Sequence, residues 1–143
     1  MSKKKKIYRA GVIPFFIDPT TSQIYMLFME PSDAKYGGAA PQIGKGKLEP
    51  GETPIEAGFR EAKEELGLFG ANVVEQWNLG KFLGRTYIFI AKIKDKNQFG
   101  KPHFETKKTI WMTPEEFQQK GRSLHRPVVA AATRLIKSRE GLK

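Results

Sequence analysis

The chain has 143 residues, 39% of them apolar and 28% charged, which suits one domain with its own core and argues against disorder of the whole chain. Cysteine is absent, so a disulfide framework, a thiol nucleophile and cysteine-ligated zinc are excluded, and a reducing compartment fits. The net charge of +10 favours anionic partners: phosphates, nucleotides or nucleic acid. Lys3, Lys4, Lys5 and Lys6 carry four of the positive charges and read as a basic, flexible tail over 1–6, ahead of a single domain over 7–143. No run approaches the ~18 consecutive apolar residues of a membrane span. Arg9 interrupts the apolar stretch that a signal peptide would need. The reading is a soluble cytoplasmic protein.

Residues 7–18 are rich in β-branched and aromatic types and read as a strand. Pro14 within it predicts an edge position or a bulge, because proline cannot donate to a ladder. A turn at 19–22 leads to a second strand at 23–30, as a hairpin or as part of a mixed sheet. Residues 31–40 hold turn chemistry, and 41–51 form a constrained loop with a short strand at its start. Thr53, Pro54 and Glu56 then make a capping box with proline at the first helical position. Ile55, Phe59, Ala62 and Leu66 keep helical spacing and Gly67 supplies a stop, which predicts a helix over 54–66. Strands follow at 71–83, 85–95 and 104–112, with a loop at 97–102. Thr113-Pro114-Glu115-Glu116 repeats the capping signal and starts a short helix. A last helix spans 127–139, with Val128, Ala132, Leu135 and Ile136 on one face. The plan is α+β, or a layered α/β/α arrangement.

Side chains advance by about 100° per residue on a helix. Glu61, Glu64 and Glu65 therefore share an arc of about 100°, apart from the apolar stripe. Like charges at this spacing destabilise a helix by about 0.2–0.5 kcal/mol per pair. A hard divalent cation such as Mg²⁺ or Mn²⁺ takes oxygen ligands and would offset the repulsion. A solvated acidic face, balanced by Arg60 and Lys63, is the plainer reading of three glutamates in isolation.

The context decides between them. Gly46, Glu52, Arg60, Glu61, Glu64, Glu65 and Gly67 stand in the pattern G-x5-E-x7-R-E-U-x-E-E-x-G-U, with Ala62 and Leu68 at the U positions. Over Gly46 to Leu68 the chain resembles the Nudix hydrolase superfamily. The resemblance implies an α/β/α sandwich with a central mixed β-sheet, in which the box forms a loop–helix–loop. It implies hydrolysis of the pyrophosphate in a nucleoside diphosphate linked to another group, with Mg²⁺, or Mn²⁺, as cofactor.

By that similarity Glu61, Glu64 and Glu65 are metal-site carboxylates, with a backbone carbonyl added by the loop at Gly46, where glycine permits close approach. Arg60 is implied to orient the glutamates through a salt bridge to Glu52, a role that suits a planar fork. Glu105, six residues before Trp111, is a candidate general base or extra ligand; an exposed loop carboxylate beside Lys107 and Lys108 is the alternative. Lys45 and Lys47 bracket Gly46 and are candidate contacts for outer phosphates. His103 and His125 read as structural or exposed. Tyr8, Phe15, Tyr36, Tyr87 and Phe99 are candidates to stack on a base, and the residues do not select among them.

Residues 44–52 look like the entry segment of dinucleoside polyphosphate hydrolases and RNA 5′-pyrophosphohydrolases. They depart from it at Gly44, where proline is usual, and at Gln42, where a tryptophan is absent. No proline lies near position 83, as it does in the ADP-ribose subfamily. Tyr87 lies slightly beyond the tyrosine of diadenosine tetraphosphate enzymes. The favoured substrate is adenine dinucleotide-type: a dinucleoside polyphosphate, ADP-ribose or similar. The alternatives are a house-cleaning NTP or dNTP pyrophosphatase, an RNA 5′-pyrophosphohydrolase, and a non-catalytic nucleotide-sensing or RNA-binding module. A small-molecule nucleotide is the favoured partner over RNA, no membrane is expected, and a homodimer is left open.

Overall fold

The computed structural model describes residues 6–35 and 37–143. The basic tail expected over 1–6 lies outside them apart from Lys6, and so does the stacking candidate Tyr36. Six strands, β1 (Arg9–Ile17), β2 (Ile24–Pro31), β3 (Gly44–Lys47), β4 (Val73–Phe82), β5 (Thr86–Ile93) and β6 (Thr106–Met112), form one sheet. The helices are α1 (Pro54–Leu66), α2 (Pro114–Lys120) and α3 (Arg126–Glu140), with single 3₁₀ turns at Gly70–Asn72 and Ser123–His125. Among the described residues no helix is long and apolar enough to cross a membrane.

The strand order is β4-β5-β1-β2-β6, with β3 beside β1. Only β1 and β5 run parallel, so the sheet is mixed. Alternation along β1 divides two cores. Ile13 and Phe15 join Phe117 of α2 and Val128, Val129, Ala132 and Ile136 of α3 on one face. Val12 joins Ala62 and Leu66 of α1 with Phe89 and Ala91 of β5 on the other. The result is the expected α/β/α sandwich.

Pro14 departs from expectation. It sits in the middle of the central strand, opposite Ala91 of β5, and not at an edge. One side of β1 changes neighbour around it: the β3 ladder ends at Val12 and the β2 ladder begins at Phe15. Pro14 falls in the gap, where a missing N–H removes no ladder bond to either strand.

Helix α1 starts as its sequence dictates. The Thr53 hydroxyl accepts from the Glu56 N–H and Glu56 answers to the Thr53 N–H at 2.9 Å, closing the capping box. Gly67 ends the helix in the left-handed region at φ 75°, where other residues are strained. The face against the sheet is made of Ala57, Gly58, Ala62 and Leu66, while Ile55 and Phe59 are only partly buried. Small residues let the helix approach the sheet closely and push the bulky pair to the margin.

Candidate active site

Strand β3 reads Gly-Lys-Gly-Lys and pairs only with β1. Its two-residue period sends the glycines to one face and the lysines to the other. The glycine face meets α1. A Cβ at Gly44 would lie 3.0 Å from Leu66 Cγ and 3.4 Å from Glu65 Oε2. A Cβ at Gly46 would collide with the Glu61 carboxylate, so glycine is what allows Glu61 to lie against the strand. Glu65 Oε2 accepts from the Lys45 N–H at 2.7 Å.

Arg60 ties this face together. Its Nε and Nη2 grip Glu52 at 2.6 and 3.0 Å in a bidentate fork. Nη2 also donates to the Lys47 carbonyl at 2.9 Å. Nη1 donates to Glu61 Oε1 at 2.8 Å and to Glu64 Oε2 at 3.3 Å. Hydrogen bonds to Glu52 and Glu61 hold the guanidinium firmly in its charged form.

The carboxylates lie in conflict. Burial pushes Glu65 up to about 8, and the Glu61 and Glu105 charges add to the rise against the Lys45 N–H and ammonium. Burial also raises Glu61, against the pull of Arg60, with Glu64 and Glu105 adding to the rise. Glu105 stands on the turn before β6. That turn is fixed by Thr106 Oγ1 donating to the Glu65 carbonyl at 2.8 Å and by Ser32 N–H donating to the Glu105 carbonyl at 2.9 Å.

These groups open into a cleft of about 870 Å³ lined by Lys45, Gly46, Lys47, Arg60, Glu61, Glu65 and Glu105. Glu64 is turned to Arg60 and does not line it, and Glu52 lies behind Arg60. Among the described residues no three acidic or imidazole groups converge closely enough to hold one ion as they stand. The donor set nevertheless fits a hard cation in its chemistry: half-buried carboxylate oxygens crowded together beside a strand that only glycine opens.

Three residues that the sequence did not single out for the site complete the cleft region. Arg9 and Arg122 line the cleft. His125 is fully buried, and its Nδ1 accepts from the Ile43 N–H at 3.1 Å. Burial, with Lys45 and Arg122 nearby, pushes its pKa down to about 3 and keeps the ring neutral. His103 is exposed. Arg122 lies 80 positions from Gln42, whose side chain it touches, and no local spacing announces such a contact. The described stacking candidates stay out of the cleft. Phe15 is fully buried, Tyr8 packs on Tyr87 at 6.0 Å, and Phe99 meets Trp111 edge-on at 5.7 Å.

The family model for the NUDIX domain matches residues 8–132. The Rhodococcus erythropolis protein named Nudix hydrolase orf19 is 29% identical over 108 residues, 66% of this chain. The chain spans 57% of the length of that relative. A Caenorhabditis elegans Ap4A hydrolase binary complex superposes with a TM-score of 0.74 at 16% identity, covering 93% of this chain and 99% of that one. The NUDIX domain of Shewanella oneidensis NrtR, complexed with ADP ribose, gives 0.70 at 10% identity, covering 94% and 90%. At these identities the structural likeness shows the fold.

Proposed function

The chain belongs to the Nudix family, and from that premise we propose that it hydrolyses the pyrophosphate linkage of a nucleoside diphosphate derivative with the help of Mg²⁺. The observation that carries this reading is the pair Glu61 and Glu65, half-buried against the glycine face of β3, Glu61 at Gly46 and Glu65 at Gly44, with both carboxyls displaced upward. Such a pair is a standing cost to the fold unless a cation or a proton neutralises it. Glu61, Glu64 and Glu65, with the Gly46 carbonyl, would hold the cation. When bound, it neutralises phosphate oxygens and lowers the pKa of its water.

The protein groups have separate tasks. Arg60 aligns Glu61 and Glu64 and fastens the β3 end through the Lys47 carbonyl. Glu52 holds Arg60 from behind. Glu105 reaches the same cleft from a pinned turn, and is the candidate to take a proton from the attacking water. Lys45 and Lys47 present point charges to the outer phosphates.

An adenine dinucleotide-type substrate is the favoured class. Two proteins of the same fold are described with Ap4A hydrolase activity and with ADP ribose, which puts diadenosine polyphosphates and ADP-ribose first in a screen. Phosphate release is measured with Mg²⁺ and with EDTA, for the wild type and Glu65→Gln. The reading predicts EDTA-sensitive turnover of one of these compounds, reduced at least ~100-fold in Glu65→Gln. Absence of turnover from folded protein across dinucleotides, NTPs, dNTPs and triphosphorylated RNA would contradict it, as would full turnover by Glu65→Gln.

A further inference from the structure

The lysine face of β3 poses the opposite charge problem from the glycine face. Arg9 pairs with Lys47 and Gly11 with Lys45 across the β1–β3 ladder. Register partners share a face, so Arg9, Lys45 and Lys47 project to the side of Ile13, Phe15 and α3, away from α1. A Cβ at Gly11 would lie 2.7 Å from Lys45 Cβ, which confirms that Lys45 covers that glycine. Arg122 comes to the same place from the segment between α2 and α3. Arg9, Lys45 and Arg122 all line the one cleft.

Glu65 and Glu61 act on Lys45 from the other face, but only at a distance. Among the described residues none of Arg9, Lys45 and Arg122 has a carboxylate within ion-pair distance. His125 helps to place Arg122. Its Nδ1 accepts from Ile43, so the proton of the neutral ring sits on Nε2. Nε2 faces Arg122 Nη1 at 3.3 Å. The same Nη1 donates to Gln42 Oε1 at 3.3 Å, so the buried ring and the Gln42 amide hold the Arg122 guanidinium at this place. Three cations gathered at one end of a cleft are the complement of an anion.

We propose that Arg9, Lys45 and Arg122 form a second anion subsite on the α3 side of β3, for a phosphate of the substrate that lies outside the bond being cut. The proposal rests on the pyrophosphohydrolase reading and narrows its substrate class. Residues from both faces of β3 line one cleft. A substrate that spans it has its scissile pyrophosphate at the carboxylates and a further phosphate at the cations. Dinucleoside polyphosphates and 5′-triphosphorylated RNA carry that further phosphate, whereas ADP-ribose has only the linkage that is cut.

The test compares KM for diadenosine tetraphosphate, a 5′-triphosphorylated RNA oligonucleotide and ADP-ribose, in the wild type, Arg122→Gln and Arg9→Gln. Arg9 lies at a strand end, so its variant keeps the comparison if Arg122→Gln fails to fold. The KM of one phosphate-rich substrate, relative to that of ADP-ribose, rises about tenfold in the variants. Which substrate shows the rise identifies whether the phosphate belongs to a polyphosphate chain or to RNA. Equal changes for all three, or none, would overturn the subsite. If the wild type cleaves none of them, the hydrolase reading fails, and titration of inorganic tripolyphosphate in EDTA decides the subsite by itself. Binding by the wild type, weakened about tenfold in Arg122→Gln, supports it; no binding, or equal binding, overturns it.

Discussion

The two faces of β3 share one backbone and differ in everything that meets it. On the α1 face, two glycines leave space that Glu61 and Glu65 fill, and burial together with neighbouring carboxylates raises both carboxyls. On the α3 face, Lys45 and Lys47 stand with Arg9 and Arg122, and burial lowers the Lys45 ammonium. Carboxylates crowd one face around Arg60, and cations crowd the other. A strand that alternates glycine and lysine thus sorts acid from base by parity alone, at the rim of one cleft. The proposed cation site lies on one side and the proposed anion subsite on the other.

After loss of the Glu65 carboxylate itself, the largest expected effect comes from removing the space on the acidic face. Gly46→Ala places a methyl where the Glu61 carboxylate lies and should lower kcat about 10- to 100-fold. Lys47→Ala, one residue on and on the opposite face, should act on KM rather than kcat. Steady-state kinetics of the two variants check the division, and matching kcat losses would break it.

Acid and base also predict opposite pH limbs for stability in EDTA. The Glu65 carboxyl rises from 4.5 to about 8 in the fold, so the folded chain holds a proton that the unfolded chain has given up. That stabilisation is full below 4.5 and is lost as pH rises through about 8. His125 falls from 6.5 to about 3, so the unfolded chain takes a proton that the folded chain refuses. Its stabilisation is full above 6.5 and is lost as pH falls toward about 3. Thermal melts across pH should show Glu65→Gln flattening the alkaline limb and His125→Gln the acid limb. A profile left unchanged by both variants would contradict the assignment.

The smallest effect separates the helices behind the two faces. Thr53 caps α1 and Thr113 caps α2 with the same reciprocal hydrogen bonds. Thr53→Ala and Thr113→Ala should each cost about 1 kcal/mol in denaturant unfolding. A cost well above that at either site would show a role beyond the cap.

Legibility in the sequence followed the range of the interaction. The α1 boundaries were readable because Thr53, Pro54, Glu56 and Gly67 act within a turn of themselves. The carboxylate face was readable because Glu61, Glu64 and Glu65 lie on one helix. Pro14 was misplaced because its tolerance depends on where β3 stops and β2 starts, which is set by pairing across the sheet. Arg122 and His125 escaped for the same reason. They meet Gln42 and Ile43 across about 80 residues of chain, and nothing local marks them. Among the stacking candidates, Phe15 is a core ring and Tyr8, Tyr87 and Phe99 are partly buried, a difference in burial that composition does not show.

The central claim is that the acidic face of β3 and α1 holds a divalent cation. Titration of Mn²⁺ into the wild-type protein, Glu65→Gln and Lys47→Gln, followed by water-proton relaxation, tests it most directly. The account predicts binding by the wild type, at least ~10-fold weaker binding by Glu65→Gln, and little change in Lys47→Gln. Wild-type protein that leaves Mn²⁺ free, or Glu65→Gln that binds it as well as the wild type, would contradict the account.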